Sequence, residues 1–366
     1  MGMERFYKTY NEISKSLLYD IITEKEGQNA VISPMSVISL LGIAAASTDG
    51  DTSEEIVRLL KAESKDELLY WISEIIKIIM SSDSTESASV VIAAEKIKDY
   101  INPEYKDMIG KFFDAGLVSS SNIVKDVNKW VNKKTRGMIK NIADDSMSDM
   151  LAALLNAITF ISDWSKKYKS DDIEPGEFTN YDGNVCRPEM MFSKEKLYVE
   201  NEFYTGFIKA YKDDNFSYMA LLPKKKRSKS FFRRALYTSE LSDLYKNAQF
   251  TTVYTTMPEF KIDYTENLTA FLERNGIKNI FTNSADFSPM ASNIPLKLDS
   301  ILHKAHIEVD RRGTKAAAVS FAYVEAGAAP MMGETKSVIL DRPFIYAIMH
   351  NNTGLPMFVG TVQALK

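Results

Sequence analysis

The chain has one cysteine, Cys186, so no internal disulfide can form. That is neutral on compartment, because a protein with a core of this size does not need crosslinks outside the cell. Long apolar runs are missing too: none approaches the roughly 20 residues that span a bilayer, so no membrane partner is expected. The first residues, Met1 to Phe6, lack an apolar signal core. Met1-Gly2-Met3 has the look of a cloning scar, which leaves room for a leader removed before this start. Strong charge of either sign is absent, with a net −4, and nothing points to a nucleic-acid partner. No phosphate loop, no HExxH and no GxSxG occurs. Cys186, in Val-Cys-Arg-Pro, has no recognisable catalytic partner and reads as an inert thiol. His303 and His306 are three apart, which in a strand puts them on opposite faces. No metal and no cofactor is expected.

What is present is ordinary for a globular protein: 366 residues, 45% hydrophobic and 26% charged. That length suits one large domain or two small ones. Apolar residues at helical spacing mark 7–22, 52–61, 66–80 and 103–114 as helices. Ser33-Pro34 ahead of the apolar run 37–46 predicts a buried helix. The segment 127–140 reads as an exposed helix ending near Gly137. Residues 89–94, 203–211, 216–222 and 249–263 read as strands, followed by a helix over 265–275 closed by Asn275-Gly276. The run 152–161 is apolar throughout and could be strand or helix. The last 30 residues alternate like strands. Helices early and strands late predict a mixed α+β domain.

The most distinctive stretch begins at Gly313 and ends at Gly333. Thr314, Ala316, Ala318, Ser320, Ala322, Val324 and Ala326 are small or apolar at alternate positions. Successive strand side chains point to opposite faces, so one face of this segment could slide over a packed core. Yet alanine is a poor strand former, and the tail is rich in Gly, Ala, Pro and Met. Such a segment suits a conformational switch.

Before it lies Pro295 to Asp310, PLKLDSILHKAHIEVD; after it come Asp341-Arg342-Pro343-Phe344-Ile345-Tyr346 and Phe358-Val359-Gly360. Asn29 to Ser36 (NAVISPMS), Asn156 to Phe160 with Trp164, Met257-Pro258-Glu259-Phe260 and Phe281 to Asp286 fall in the same order. Together these closely resemble the serpin family over nearly the whole chain. The resemblance implies one serpin domain over 1–366: three β-sheets, about eight or nine helices, and an exposed reactive-centre loop at 311–340. It implies a monomeric inhibitor, not an enzyme.

The family's mechanism is a trap. A protease attacks the loop and forms its acyl-enzyme; the cut loop then inserts as an extra strand in the main sheet and distorts the bound protease. Inserting residues must be small on the inward face and free of proline, because each N–H joins the ladder. Residues 314–326 meet this, and as a strand would span about 43 Å at about 3.3 Å per residue. The resemblance makes Gly313, Thr314, Lys315, Ala316, Ala317, Ala318, Val319 and Ser320 the hinge. Lys315 replaces the usual acid but faces solvent by parity. Arg311 and Arg312 also depart, which removes the usual acid from the ion pair that holds the top of the sheet in many serpins. Ser33, Ser36, Asn156 and His303 match the family's polar gate, and Trp164 the tryptophan at the top of the central strand. Buried hydroxyl, imidazole and amide groups exchange partners at low cost, which suits a gate.

Counted from Gly313, the bait bond falls at Gly327 with Ala328 following; counting back from Phe344 reaches Met331 or Met332, and Ala326 is a further alternative. The neighbourhood holds no Arg, Lys or Asp. Trypsin-like proteases need a cation for their specificity pocket, and caspase-like ones an Asp. Small side chains fit elastase-like or subtilisin-like serine proteases. The alternatives are an inhibitor of a cysteine protease, or a non-inhibitory carrier or chaperone on the same fold. An extracellular location is expected, with the cytoplasm as the alternative. The basic run Lys224-Lys225-Lys226-Arg227 could bind a polyanion but reads first as a solvated loop.

Overall fold

The computed structural model describes residues 2–80, 82–148, 150–224, 240–314 and 335–366, without the side chains of 79 and 80. These form eight α-helices and three sheets among the described residues. They fall into two units, each assembled from three stretches of chain.

The first unit comprises residues 1–13, 32–159 and 263–306. Its centre is α2 (Pro34–Ser47), where all fourteen residues are buried. Ser33 opens it as sequence predicts: its Oγ accepts from Ser36 N at 3.2 Å, and Pro34 occupies the first turn, where no N–H is needed. Gly42 is required by close approach, since a Cβ there would lie 2.7 Å from Ile72 and 2.9 Å from Phe113. Ile72 belongs to α4 (Lys65–Met80) and Phe113 to α5 (Pro103–Phe113). Helix α1 (Gly2–Glu24) starts well before residue 7, stacking Phe6 on Trp71 at 5.1 Å. Helix α3 (Gly50–Leu59) falls where expected.

Strands β2 (Thr85–Ala94) and β3 (Ala115–Ser120) pair in parallel. The ambiguous run 152–161 is a strand, β4 (Ala152–Phe160), buried at every position; burial on both faces removes the alternation that would have identified it. Helix α6 (Ile123–Lys134) differs from expectation. Asn122 caps it, accepting from Lys125 N, so it begins four residues early. It ends at Lys134, and the left-handed pair Arg136 and Gly137 lies beyond it. Nor is it wholly exposed: Ile123, Val127 and Val131 join a core with Val90, Ile92, Leu155 and Ala157.

β4 and β14 (Ser300–Val309) lie side by side in parallel, with Ser300 opposite Ala153 and His306 opposite Thr159. No strand stands between them over this register. The expected strand 249–263 is two strands, β12 (Gln249–Pro258) and β13 (Phe260–Asn267), separated at Glu259. β13 runs through part of the expected helix, which shrinks to α8 (Thr269–Arg274).

The second unit comprises residues 14–31, 160–262 and 307–366. It holds most of a nine-stranded sheet that includes β9 (Glu189–Glu200), β10 (Tyr204–Ala210), β11 (Phe216–Pro223), β12, β17 (Phe344–His350) and β18 (Pro356–Val362). Every residue of β11, β17 and β18 is buried. β14 runs on into this unit, where its end pairs with the short β15 (Gly313–Thr314), and β15 pairs with β5 (Ser162–Asp163).

Candidate functional site: a polar seam and a hinge rung

In the first unit the structure brings together the four residues expected to form a gate. Ser33, Ser36, Asn156 and His303 are all fully buried. Parallel register sets His303 of β14 opposite Asn156 of β4. His303 Nε2 accepts from Ser33 N at 3.0 Å, so the ring proton sits on Nδ1. Burial without an anionic partner pushes the His303 pKa down to about 3. Asn156 Nδ2 donates to the hydroxyls of Ser87 and Ser89 on β2, at 3.2 and 3.0 Å. The complementary atoms go unused: Ser36 Oγ, Asn156 Oδ1, Thr159 Oγ1 and His303 Nδ1 are buried and make no hydrogen bond among the described residues. Such atoms cost about 1–3 kcal/mol each. The seam is closed but leaves hydrogen-bonding capacity unmet. His306 does not join this cluster; its Nδ1 lies 2.7 Å from Asp263 Oδ1.

Trp164 and the first two hinge residues belong to the second unit. Here the polar groups of the turn that follows β14 find partners. After Val309 the chain turns through Asp310, whose Oδ1 accepts from Arg312 N at 2.7 Å and Gly313 N at 3.1 Å. Trp164 holds the turn from its backbone and its ring: N to Arg312 O and Nε1 to Asp310 O, both at 2.9 Å. Tyr168 N adds a bond to Arg311 O at 3.1 Å. Gly313 then runs so close to β5 that a Cβ would lie 2.1 Å from Ser162 O; no other residue fits there.

Thr314 is fully buried, paired with Val309 on one side and Ser162 on the other. Its hydroxyl meets the Tyr211 hydroxyl at 2.7 Å. Burial drives the Tyr211 phenol pKa far above its ordinary value, so the O–H stays protonated. Tyr211 in turn stacks on Trp164, ring centroids 4.6 Å apart and nearly parallel. The first hinge residues already form one rung of strand, and Thr314 is its terminal described residue. Lys315, Ala316, Ala317, Ala318, Val319, Ser320, Ala326, Gly327, Ala328, Met331 and Met332 lie outside the described residues.

Arg311 removes the expected acid, yet an ion pair is made. Its Nε and backbone N both donate to Glu259 Oε1, at 3.0 and 3.2 Å. The acid stands on Glu259 and the cation on the hinge side. Cys186 is half-buried, with burial pushing its thiol pKa up, which suits an inert thiol. Lys224 pairs with Glu200 at 2.7 Å; Lys225, Lys226 and Arg227 lie outside the described residues. No group of three or more metal-ligating side chains occurs among the described residues. None of the described helices is long and apolar enough to cross a membrane.

Sequence reasoning missed Tyr211, Glu259, Ser87 and Ser89. A polar residue within a strand-like apolar run was the available signal for Tyr211 alone; the others are revealed only by the folded arrangement.

Comparison with known proteins agrees with this geometry. Residues 8–364 match the family profile described as Serpin (serine protease inhibitor). The chain is 26% identical to leukocyte elastase inhibitor A of Mus musculus, over 91% of this chain and 92% of that protein. Among solved structures it resembles the thermophilic serpin tengpin in its native state, with a TM-score of 0.85 and 31% identity, covering 98% of this chain and 94% of that one. Human thyroxine-binding globulin, solved with its ligand, shares the fold at a TM-score of 0.87 and 21% identity, covering 100% and 99% of the two chains. The chain belongs to the serpin family.

Proposed function

We propose that this protein is an inhibitory serpin: a monomeric, secreted, single inhibitory domain that offers residues 311–340 as bait and traps serine proteases of the elastase-like or subtilisin-like class. The observation that carries the reading is the rung at Gly313–Thr314. A strand already begun at the hinge, beside β14, is the starting point that insertion of a cut loop requires. The seam between β4 and β14 is closed by backbone pairing and lined by side-chain atoms that make no hydrogen bond among the described residues, so parting it breaks the strand ladder but no bond from those atoms. The bait bond is Gly327–Ala328, with Ala326, Met331 and Met332 as alternatives. Its surroundings, small side chains with no Arg, Lys or Asp, suit shallow or permissive specificity pockets, and likeness to an elastase inhibitor points the same way. The protein supplies no catalytic group of its own; the protease performs the acylation that arrests it.

A non-inhibitory carrier is the second reading, favoured by the fold it shares with thyroxine-binding globulin. One experiment separates the two. The protein is incubated with elastase-, subtilisin-, trypsin- and chymotrypsin-like serine proteases and a papain-like cysteine protease, then run on denaturing gels with mass spectrometry of the cut. The expected result is an SDS-resistant adduct with the first two classes and a cut near Gly327. Cleavage by every protease without any adduct would overturn the inhibitory reading.

A further inference from the structure

Strands β9 and β10 bury a pair of opposite charges that the trap, as described, does not use. The Lys209 side chain is 2% exposed, and its Nζ lies 2.7 Å from Oε1 of Glu195, itself 14% exposed. Ser193 Oγ donates to the same carboxylate oxygen at 2.6 Å and meets Thr255 Oγ1 at 2.8 Å. Taking a cation out of water is costly unless it is paired, and an apolar side chain of similar volume would fill this place without that cost. The pair therefore calls for a reason beyond filling space.

Its surroundings supply one. The ammonium lies over two rings, 4.5 Å from the centroid of Tyr168 and 5.4 Å from that of Trp164. These are the residues whose backbone and indole N–H groups hold Asp310, Arg311 and Arg312. Trp164 also stacks on Tyr211, which bonds Thr314. One buried cation thus faces the aromatic groups on which the hinge turn and its first rung depend. A cation is drawn to ring faces, whereas a neutral side chain packs without that pull. We propose that Lys209, anchored by Glu195, is a positioning residue of the trap. It fixes Trp164 and Tyr168 so that the rung at Gly313–Thr314 is formed before a protease arrives. It thereby raises the fraction of cut loops that insert before the protease escapes. This proposal rests on the inhibitory reading above.

The test compares Lys209→Met, Glu195→Gln and Lys209→Arg with the unaltered protein. Hydrogen exchange at the Gly313 and Thr314 amides of the uncut protein needs no protease. Exchange is expected to quicken about tenfold or more in Lys209→Met and Glu195→Gln, the change that about 1.4 kcal/mol of lost local protection gives. Lys209→Arg should stay near wild type, because a guanidinium can meet both the carboxylate and the rings. The stoichiometry of inhibition should rise in the first two variants and not in the third. If the Met variant fails to fold, the near-isosteric Gln variant carries the test. A lower melting temperature with unchanged hinge exchange and unchanged stoichiometry would mean that the pair only packs, and would overturn the proposal. If the unaltered protein forms adducts but stoichiometry does not move in the variants, the positioning role falls and the trap reading stands. If hinge exchange responds as expected but no adduct forms with the unaltered protein, the trap reading falls and the control of the hinge by Lys209 stands.

Discussion

Protonation of His303 offers a clean perturbation of the seam. In the folded protein its pKa is pushed down to about 3, against about 6.5 in an unfolded chain. Above about pH 6.5 both states are neutral and the group adds no pH dependence. Below it the unfolded chain binds a proton that the buried ring refuses, so stability falls as pH falls. The slope for this one group is about 1.4 kcal/mol per pH unit until the folded pKa is reached. From pH 6.5 to pH 4.5 that amounts to about 2–3 kcal/mol. His350 adds a loss of the same sign, since burial lowers its pKa too, and carboxylates titrate near the lower end. The comparison with His303→Gln removes these common contributions, and the amide oxygen can still accept from Ser33 N. Urea unfolding of both proteins between pH 4.5 and 7.5 should show a stability difference that shifts toward the variant as pH falls. A difference that stays constant with pH would refute the assignment of His303 as a buried neutral imidazole.

The hinge rung and the loop give two further expectations. Thr314→Val leaves the buried Tyr211 hydroxyl unpaired and should cost about 1–3 kcal/mol; Tyr211→Phe should cost a similar amount and the double variant less than the sum, so additive costs in denaturant unfolding would argue against the bond at the hinge. Cutting the loop between Glu325 and Met332 should raise the melting temperature, by about 1 °C per kcal/mol gained at this chain length, whereas a nick in an ordinary exposed loop lowers it or leaves it unchanged; a calorimetric scan of cut against intact protein decides between the signs.

Much of the architecture was legible because local rules agree with tertiary ones. Ser33-Pro34 ahead of an apolar run signalled α2, and the cap, the proline and the burial all lie there. β4 was not legible as a strand, because a strand buried on both faces has no polar face to alternate with. The end of α6 was misjudged because Gly137 does adopt the left-handed conformation that closes helices, but Arg136 adopts it as well and the helix has already ended. The start was missed although the cap Asn122 and the apolar stripe Ile123, Val127 and Val131 both stand in the sequence. In the site, motif order pointed to Ser33, Ser36, Asn156 and His303, which are buried in the same unit. What no spacing could supply is register. Only pairing puts His303 opposite Asn156, only the approach of separate strands joins Lys209 to Glu195, and only the approach of the turn after β14 to the β12–β13 junction joins Arg311 to Glu259. The loss of an acid at Arg311 looked like the loss of an ion pair, because the sequence shows one partner at a time.

β14 carries two contrasting environments along its length. At His303 the buried atoms Asn156 Oδ1 and His303 Nδ1 make no hydrogen bond among the described residues; beyond Val309 the Asp310 carboxylate and the carbonyls of Asp310, Arg311 and Arg312 all have partners. On the inhibitory reading this contrast has a direction. A cut loop first lengthens a rung that is already formed, so the costly step of nucleating a strand has been taken in advance. It then advances along a seam where parting β4 from β14 exposes Asn156 Oδ1 and His303 Nδ1, atoms that make no hydrogen bond among the described residues. The closed state is held by backbone pairing over Ser300–His306, which an inserted strand would replace on both of its sides. A satisfied start and an unsatisfied path are what a sheet needs if it is to stay closed until the loop is cut and open readily afterwards.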